Sequence, residues 1–350
     1  MFNLFLRIFS NNGQKIMKIL CILATVFLVL GSIWFCDNNV PGYKKTIITY
    51  ADNSHYPVTI ETFNSKGKST PMIFTHSPKR VVTDELNTFE TLLALGLGDC
   101  IVESSVSSNS QIYQRLKKEY PEELEKVKGI STQDLNTESV LAISPDFILG
   151  WKSTFTSQLK KSTDWWNQRG INTYVVATSN HVLNYGTIED ECQFLADIGK
   201  IFNVEKKTNY LIQEIHDEVC YTREQTKERS KQFVMVIEMS GRAFMNYDNG
   251  WLVGDMVEQL GGEMPVKGRR IGYEDLIDYN PDVIFVVYFN DKQKEQIINL
   301  FQKAQFSSLK AVKEHRIYPL PFDHMYTTAI KTKDGIRMIR DGLYPDLVND

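Results

Sequence analysis

Two segments of the chain carry nearly the same pattern of apolar and polar positions. Residues 138–151 read ESVLAISPDFILGW, and residues 274–287 read EDLIDYNPDVIFVV. In each segment a Glu is followed seven places later by Pro-Asp and then by a continuous apolar run. Pro145 and Pro281 exclude the preceding residue from helical geometry, so a short helix should end there. An uninterrupted apolar run is typical of a strand covered on both faces of a parallel sheet. The pattern therefore predicts the same unit twice, a helix followed by a buried strand.

The flanking pattern repeats as well. The first copy follows a strand at Val81-Val82, a helix that ends at Leu95-Gly96, and a strand at Ile101-Val102. After residue 231 the order restarts with FVMVIEM, the hairpin-like SGRAFMNYDNG and the helix DMVEQLGG, which also ends in Leu-Gly. Strands that alternate with helices indicate a parallel α/β sheet. We therefore expect an α/β protein with two similar lobes and a ligand cleft between them.

The stretch between the two copies has a different period. From residue 187 to 231 the apolar positions recur at spacings of three and four, which predicts two consecutive helices, the second of them long. The positions expected to be buried are Leu195, Ile198, Ile201, Tyr210, Leu211, Ile215 and Val219. The expected organisation is a signal peptide or membrane anchor (1–36), a tether (37–78), the N-terminal lobe (79–186), linking helices (187–231) and the C-terminal lobe (232–350). The alternating pieces KKTIITY and YPVTIETF of the tether predict short edge strands that pack on the first lobe.

The N-terminal segment differs in composition from the rest of the chain. Lys15 and Lys18 precede ILCILATVFLVLGSIWF, an uncharged apolar run from Ile19 to Phe35. Its length suits either a signal peptide or an uncleaved anchor. Positive charge before the run places the remainder outside the cytoplasm, tethered to the membrane through this terminus.

Composition and charge narrow the class of protein. A chain of 350 residues with 42% hydrophobic and 11% aromatic content can form two cores. The formal net charge of −4 and the absence of a basic stripe interleaved with aromatics argue against a nucleic-acid partner.

The chemistry-bearing residues do not form a catalytic motif. There is no GxSxG, GxxxxGK[ST] or HExxH, the six His residues are scattered, and the Gly-rich pieces end helices where a phosphate loop would begin one. Cys100, Cys192 and Cys220 have no metal-site spacing and are expected to be small core residues. We expect a protein that is not an enzyme, with no intrinsic cofactor and no directly bound metal.

At the level of whole segments the chain is similar to a known family. PKRVVTDELNTFETLLALGLGDCIVES, LNTESVLAISPDFILGW, IGYEDLIDYNPDVIFVVYF and FSSLKAVKEHRIYPLPF, taken in order, resemble the helix-linked class of substrate-binding proteins of ABC importers. These proteins serve ferric siderophores, haem and cobalamin. The resemblance runs from about Pro78 to the C-terminus. It implies two Rossmann-like lobes joined by one long helix near residues 205–229, and little hinge motion on binding.

The resemblance also implies partners. Family members deliver a small-molecule metal chelate to a two-fold ABC permease dimer with a cytoplasmic ATPase, and an acidic residue on each lobe docks onto that permease. The matching positions are Glu138 and Glu274, each at the start of a predicted helix. We expect a monomer before docking.

Loops that follow the strands should build the ligand pocket. Trp151 matches a family position where an aromatic lines the cleft. Aromatic faces and Arg forks would suit a bulky anionic chelate. The predicted ligand-binding residues are Trp151, Lys152, Arg242, Met245, Arg269, Arg270, Tyr288, His324 and Tyr326.

The sequence is compatible with more than one ligand and more than one class of protein. A ferric siderophore-type chelate is the preferred ligand, but haem is the main rival because His324, Tyr326 or a methionine could supply an axial ligand, and a corrinoid is a third choice. Lipidation at Cys36 departs from the family pattern, because Ile33, Trp34 and Phe35 before it are bulky. Two alternatives lie outside transport: a two-lobed metal-handling enzyme, and a membrane-tethered sensor or adhesion domain.

Overall fold

The computed structural model describes residues 55–108, 110–131 and 135–348. The apolar run 19–35, Cys36 and the predicted strand KKTIITY (44–50) lie outside these residues. Within the described part of the chain, no helix is both long enough and apolar enough to cross a membrane.

An antiparallel hairpin precedes the first lobe. Its strands are β1 (Val58–Phe63) and β2 (Ser69–Phe74). Ile60, Met72 and Phe74 are buried in the same apolar cluster as the first lobe's sheet. The strand predicted in YPVTIETF is confirmed as β1. Its partner β2 was not predicted, because Ser69, Thr70 and Pro71 hide the alternation of its apolar positions.

The first lobe is built on a four-stranded parallel sheet with the order β4-β3-β5-β6. These strands are β3 (Val81–Thr83), β4 (Ile101–Ser104), β5 (Phe147–Gly150) and β6 (Asn172–Val175). Its helices are α1 (Leu86–Ala94), α2 (Gln111–Glu119), α3 (Pro121–Lys126), α4 (Thr137–Ala142) and α5 (Thr163–Asn167).

Two helices lead from the first lobe to the second. They are α6 (Ile188–Phe202) and α7 (Glu205–Thr226). Thr187 caps α6 reciprocally with Asp190 and so satisfies amide groups at its start. The apolar positions predicted in these helices are buried, except that Tyr210 is 65% exposed and Leu211 is only partly buried. Leu211 packs against the cores of both lobes, so α7 joins them.

The second lobe is built on a mixed sheet with the order β10-β8-β7-β11-β12, in which β9 also pairs with β7. Its strands are β7 (Gln232–Ser240), β8 (Ala243–Tyr247), β9 (Gly262–Glu263), β10 (Arg270–Ile271), β11 (Val283–Tyr288) and β12 (Ile317–Pro321). Its helices are α8 (Leu252–Gln259), α9 (Tyr273–Tyr279), α10 (Asp291–Phe301), α11 (Lys310–Lys313) and α12 (Thr332–Leu343). Strand β7 pairs in parallel with β11 and antiparallel with β8, which confirms the predicted hairpin.

The repeated unit has the predicted structure in both lobes. In the first, α4 leads into β5; in the second, α9 leads into β11. Val283, Phe285 and Val287 belong to one apolar cluster, and Ile284 and Val286 belong to another on the opposite face. Continuous apolar runs arise because successive side chains of such a strand enter different cores.

The short helices of the repeat bury less than their sequence pattern indicates. Val140 of α4 and Leu276 of α9 are fully buried, but Leu141 is 39% exposed and Ile277 is only partly buried. Each helix therefore has one fully buried apolar residue, and in α9 Tyr273 and Ile277 pack on the same core while remaining partly exposed.

One glycine of the last helix permits a close backbone contact. A Cβ atom at Gly335 in α12 would lie 2.0 Å from the carbonyl oxygen of His324. That oxygen is backbone, so α12 or the segment around His324 would have to move.

We expect Gly335→Ala to lower the free energy of unfolding by about 1–3 kcal/mol, because overpacking forces backbone shifts. Chemical denaturation would measure the change. Gly186→Ala is the matched control, since its Cβ would meet its nearest neighbour at an ordinary 3.4 Å. Equal stability of the two variants would contradict the close packing of α12 on this segment.

Candidate ligand-binding site

A cleft of about 620 Å³ opens between the two lobes. The first lobe contributes residues that follow β3 and β5 together with one face of α2, and the second lobe contributes residues that follow β11 and β12. These strands end at the cleft with their carboxyl ends, which is where parallel sheets present ligand sites. The lining residues are Glu85, Leu86, Asn87, Gln111, Ile112, Arg115, Trp151, Tyr288, Phe289, Asn290, Asp291, Pro321, Phe322, Asp323, His324, Tyr326 and Thr327.

Trp151 is held in place by polar contacts from its own lobe. Its indole N–H donates to Asn87 Oδ1 at 2.9 Å, and its backbone N–H donates to Thr154 Oγ1 at 2.9 Å. Thr154 Oγ1 in turn donates to the buried carboxylate of Asp84 at 2.6 Å. The orientation of the indole is therefore fixed before any ligand arrives.

Aromatic rings cross the cleft from one lobe to the other. The rings of Trp151 and Tyr326 meet edge to face with centroids 5.4 Å apart, and Tyr326 lies 5.2 Å from Phe322. Phe322 lies 4.7 Å from Phe289, whose side chain is 48% exposed. Such pairs are favourable beyond the area they bury. The four rings form the aromatic series of the cleft.

An ion-pair network also joins the lobes beside the cleft. The carboxylate of Glu90 in α1 is 1% exposed and pairs with Arg115 at 2.8 Å and with Lys331 at 3.2 Å. Arg115 also contacts Glu119 at 2.9 Å and, across the cleft, Asp323 at 3.4 Å. Burial would lower the pKa of Arg115, but its bonds to Glu90 outweigh this effect and raise it. The guanidinium is therefore committed to carboxylates of the protein.

The imidazole of His324 is paired with its neighbour. His324 Nδ1 lies 2.7 Å from Asp323 Oδ1. Burial alone would raise the pKa of Asp323, yet the hydrogen bond and charge of His324, with Arg115 and Lys331, hold it below its usual value. A carboxylate on Nδ1 leaves Nε2 as the nitrogen that can face a ligand.

Glu85 brings an acid with an unusual environment to the cleft. It precedes α1 with φ of 75°, a conformation that non-glycine residues rarely adopt. Burial and, second, the charge of Asp84 raise its pKa from 4.5 to about 7. Backbone strain of this kind concentrates at ligand sites.

Four of the nine predicted ligand-binding residues line this cleft: Trp151, Tyr288, His324 and Tyr326. The other five do not. Lys152 follows Trp151, with its backbone N–H directed to Ser179 Oγ. Arg242 is exposed in the turn between β7 and β8, Met245 lies within β8 opposite Arg270, and Arg269 and Arg270 are exposed where β10 begins. The hairpin carries these arginines to other parts of the surface.

Sequence reasoning missed most of the polar lining. Glu85, Asn87, Arg115 and Asp323 line the cleft but were not singled out. Arg115 belongs to α2, a helix that was not predicted, although Ser110 before it is a helix-capping residue whose side chain accepts from the N–H of Tyr113. That capping signal could have located the helix.

The two predicted docking residues occupy equivalent places. Glu138 lies in the first turn of α4 and Glu274 in the first turn of α9, and both side chains are exposed. A helix that connects parallel strands is expected to run antiparallel to them, so we expect both first turns, and with them both carboxylates, on the side of the sheets where the strands' carboxyl ends lie.

A two-lobed α/β fold with a joining helix and a ligand-sized cleft between the lobes is typical of substrate-binding proteins. The chain belongs to the periplasmic binding protein family, which matches residues 81–324. It is 22% identical over 327 residues to the uncharacterized ABC transporter substrate-binding lipoprotein YvrC of Bacillus subtilis, covering 91% of this chain and 96% of that protein.

Solved structures share the fold. A periplasmic binding protein from Veillonella parvula is 32% identical with a TM-score of 0.77, and the match covers 84% of this chain and 93% of that one. An ABC-type Fe³⁺-hydroxamate transport system protein from Saccharomonospora viridis is 19% identical with a TM-score of 0.62, covering 83% and 99%. The protein is thus an ABC transporter substrate-binding protein, a class that works with a permease, an ATPase and a small-molecule ligand.

Replacing Glu85 should change how stability depends on pH. Because the folded-state pKa of about 7 lies above the ordinary 4.5, ionisation of Glu85 opposes folding, and this penalty grows as pH rises through that window. We expect Glu85→Gln, which is never charged, to gain stability relative to wild type between these pH values. The gain should level off above about pH 7 at no more than roughly 3 kcal/mol.

Denaturant unfolding at a series of pH values would test this expectation. Glu125→Gln, which removes an exposed carboxylate from α3, is the control and should follow the wild-type curve in shape. A Glu85→Gln variant whose stability parallels wild type at every pH would show that Glu85 is not desolvated.

Proposed function

We propose that the protein captures a ferric siderophore-type chelate of low net charge and delivers it to a membrane permease. The observation that carries this proposal is the preformed cleft between the lobes, lined by the aromatic series. A volume of about 620 Å³ lies in the range of small-ligand pockets, and aromatic faces supply the apolar area that holds a bulky guest.

The charge of the lining supports a ligand without strong negative charge. Among the described lining residues, Glu85, Asp291 and Asp323 are acids, while Arg115 is already paired with Glu90, Glu119 and Asp323. A polyanionic tricatecholate would meet the carboxylates of Asp291 and Asp323, and that of Glu85 once it ionises near pH 7, without an uncommitted guanidinium to compensate. A ferric trihydroxamate is neutral, because three hydroxamate charges balance Fe³⁺. The similarity to a Fe³⁺-hydroxamate transport protein points the same way.

A panel of chelates tests the ligand class. We expect a ferric trihydroxamate to quench the tryptophan fluorescence of the full-length protein in detergent saturably, and at least about tenfold more tightly than a ferric tricatecholate. Trp151→Ala should weaken binding by a similar factor, because the guest loses a fixed aromatic face.

Trp165→Ala is the matched control, since Trp165 packs on the first lobe without lining the cleft. Preference for the tricatecholate would refute the low charge of the ligand. Saturable binding that Trp151→Ala leaves unchanged would refute the site.

Haem or a corrinoid is the second candidate, favoured by the pairing of His324 with Asp323. That carboxylate orients the ring so that Nε2 can act as an axial ligand to iron or cobalt. In the same panel, a Soret change with haem, or a spectral shift with cobalamin, that is lost in His324→Ala would replace the siderophore assignment.

We further propose that Glu138 and Glu274 dock the loaded protein onto the permease, one carboxylate from each lobe. Their exposed, equivalent positions suit a partner with two-fold symmetry. The protein works outside the cytoplasm, held at the membrane by a lipid on Cys36 or by the retained apolar run 19–35. The lipoprotein relatives support such a tether.

The double variant Glu138→Ala, Glu274→Ala should bind ligand with wild-type affinity yet lose uptake in cells that carry the cognate permease. Transport needs both docking contacts, whereas the cleft needs neither. Glu125→Ala combined with Glu295→Ala removes two other exposed acids and should leave uptake unchanged. Loss of ligand binding in the docking variant, or normal uptake, would refute the assignment.

A further inference from the structure

The two helices between the lobes bring together three potential metal ligands. Glu189 and Cys192 lie one turn apart on α6, and His216 lies on α7, which packs beside it. One ligand atom from each residue lies within 4.8 Å of the other two. His216 Nε2 is 2.9 Å from Glu189 Oε1, so two of the three are already in contact.

The distances suit a small divalent ion. Zinc binds thiolate sulfur at about 2.3 Å and imidazole nitrogen at about 2.0 Å, which places two tetrahedral ligands roughly 3.5 Å apart. Atoms within 4.8 Å of one another need to move by only about 1 Å to reach that spacing. Glu189 and His216 are partly exposed and can adjust by rotation of their side chains.

The three residues differ in burial: Cys192 lies in the core, whereas Glu189 and His216 lie at the surface. Cys192 is 3% exposed and packs within the core that joins α6, α7 and the second lobe. Glu189 and His216 reach the solvent, so an ion has an entry path. Thiolate, imidazole and carboxylate together are the ligand types that zinc accepts, whereas Ca²⁺ and Mg²⁺ prefer oxygen alone.

We propose that Glu189, Cys192 and His216 form a binding site for a thiophilic divalent cation of the Zn²⁺ type, separate from the ligand cleft. The ion is held by one sulfur, one nitrogen and one oxygen from the protein, with a fourth position open to water.

A metal at this place would tie together the helices that connect the lobes. The backbone N–H of Ile188, next to Glu189, donates to Asp255 Oδ2 of α8 at 2.7 Å, so the start of α6 is already joined to the second lobe. Crosslinking α6 to α7 at this point adds a second constraint. Binding to the folded state alone stabilises it. The proposal does not depend on which ligand occupies the cleft.

Metal titration of the full-length protein, purified without a histidine tag and kept reduced, tests the site. We expect one Zn²⁺ per chain, a rise in thermal unfolding temperature with Zn²⁺ but not with Mg²⁺, and a thiolate-to-metal absorption band when Co²⁺ replaces Zn²⁺. Cys192→Ser and His216→Ala should each weaken Zn²⁺ binding by at least about tenfold. Cys100→Ser and His181→Ala remove another buried Cys and a His whose ring meets Trp251 edge to face, and they should leave the affinity unchanged.

The substitutions and the Co²⁺ spectrum each give a result that can overturn the proposal. Wild-type Zn²⁺ affinity in Cys192→Ser or His216→Ala, or a Co²⁺ complex without a thiolate band, would overturn the proposal. Should Cys192→Ser fail to fold, His216→Ala and Glu189→Gln decide the question, because both side chains are partly exposed and their removal spares the core. Binding of the chelate in the cleft is measured separately, and neither its success nor its failure changes this result.

Discussion

The buried carboxylate of Glu90 is the constraint on which the geometry of the cleft depends. A charge that is 1% exposed must be paired, because its desolvation is otherwise far too costly. Its partners come from both lobes, Arg115 from α2 of the first and Lys331 from the second. Since Arg115 also reaches Asp323, the requirement to neutralise one acid fixes α2, the start of α12 and the segment after β12 together. Those are the elements that surround the ligand.

Further contacts across the lobes act in the same direction. Glu191 of α6, fully buried with its pKa raised by burial to about 7, accepts from Thr178 and from the backbone N–H of Ala329. Glu218 of α7 pairs with Arg337 and Arg340 of α12. Each contact ties a linking helix to a neighbouring lobe. A cleft whose walls are held this way loses little conformational freedom when a guest enters, which favours affinity without a large closure.

The order of apolar and polar positions predicts the two-lobed architecture correctly, because burial of strands and helices directly determines that order. The continuous apolar run 283–287 is typical of a strand covered on both faces. Trp151, Tyr288, His324 and Tyr326 lie at or after the carboxyl ends of parallel strands, which end at the cleft. Placement of the arginines in 242–270 required the path of the β7–β8 hairpin, which local pattern does not determine. Likewise Cys192 and His216 stand 24 positions apart and meet only through the packing of α6 on α7. Their separation along the sequence therefore does not predict that the two side chains are close in space.

The aromatic series has a thermodynamic consequence for the empty protein. Phe289 stands 48% exposed at one end of the series, so apolar surface remains hydrated until a guest covers it. Release of that water lowers the heat capacity of the complex relative to its parts. The binding enthalpy therefore becomes more negative on warming. Calorimetry at several temperatures would give the slope of binding enthalpy against temperature, which reports how much aromatic surface the ligand removes from water.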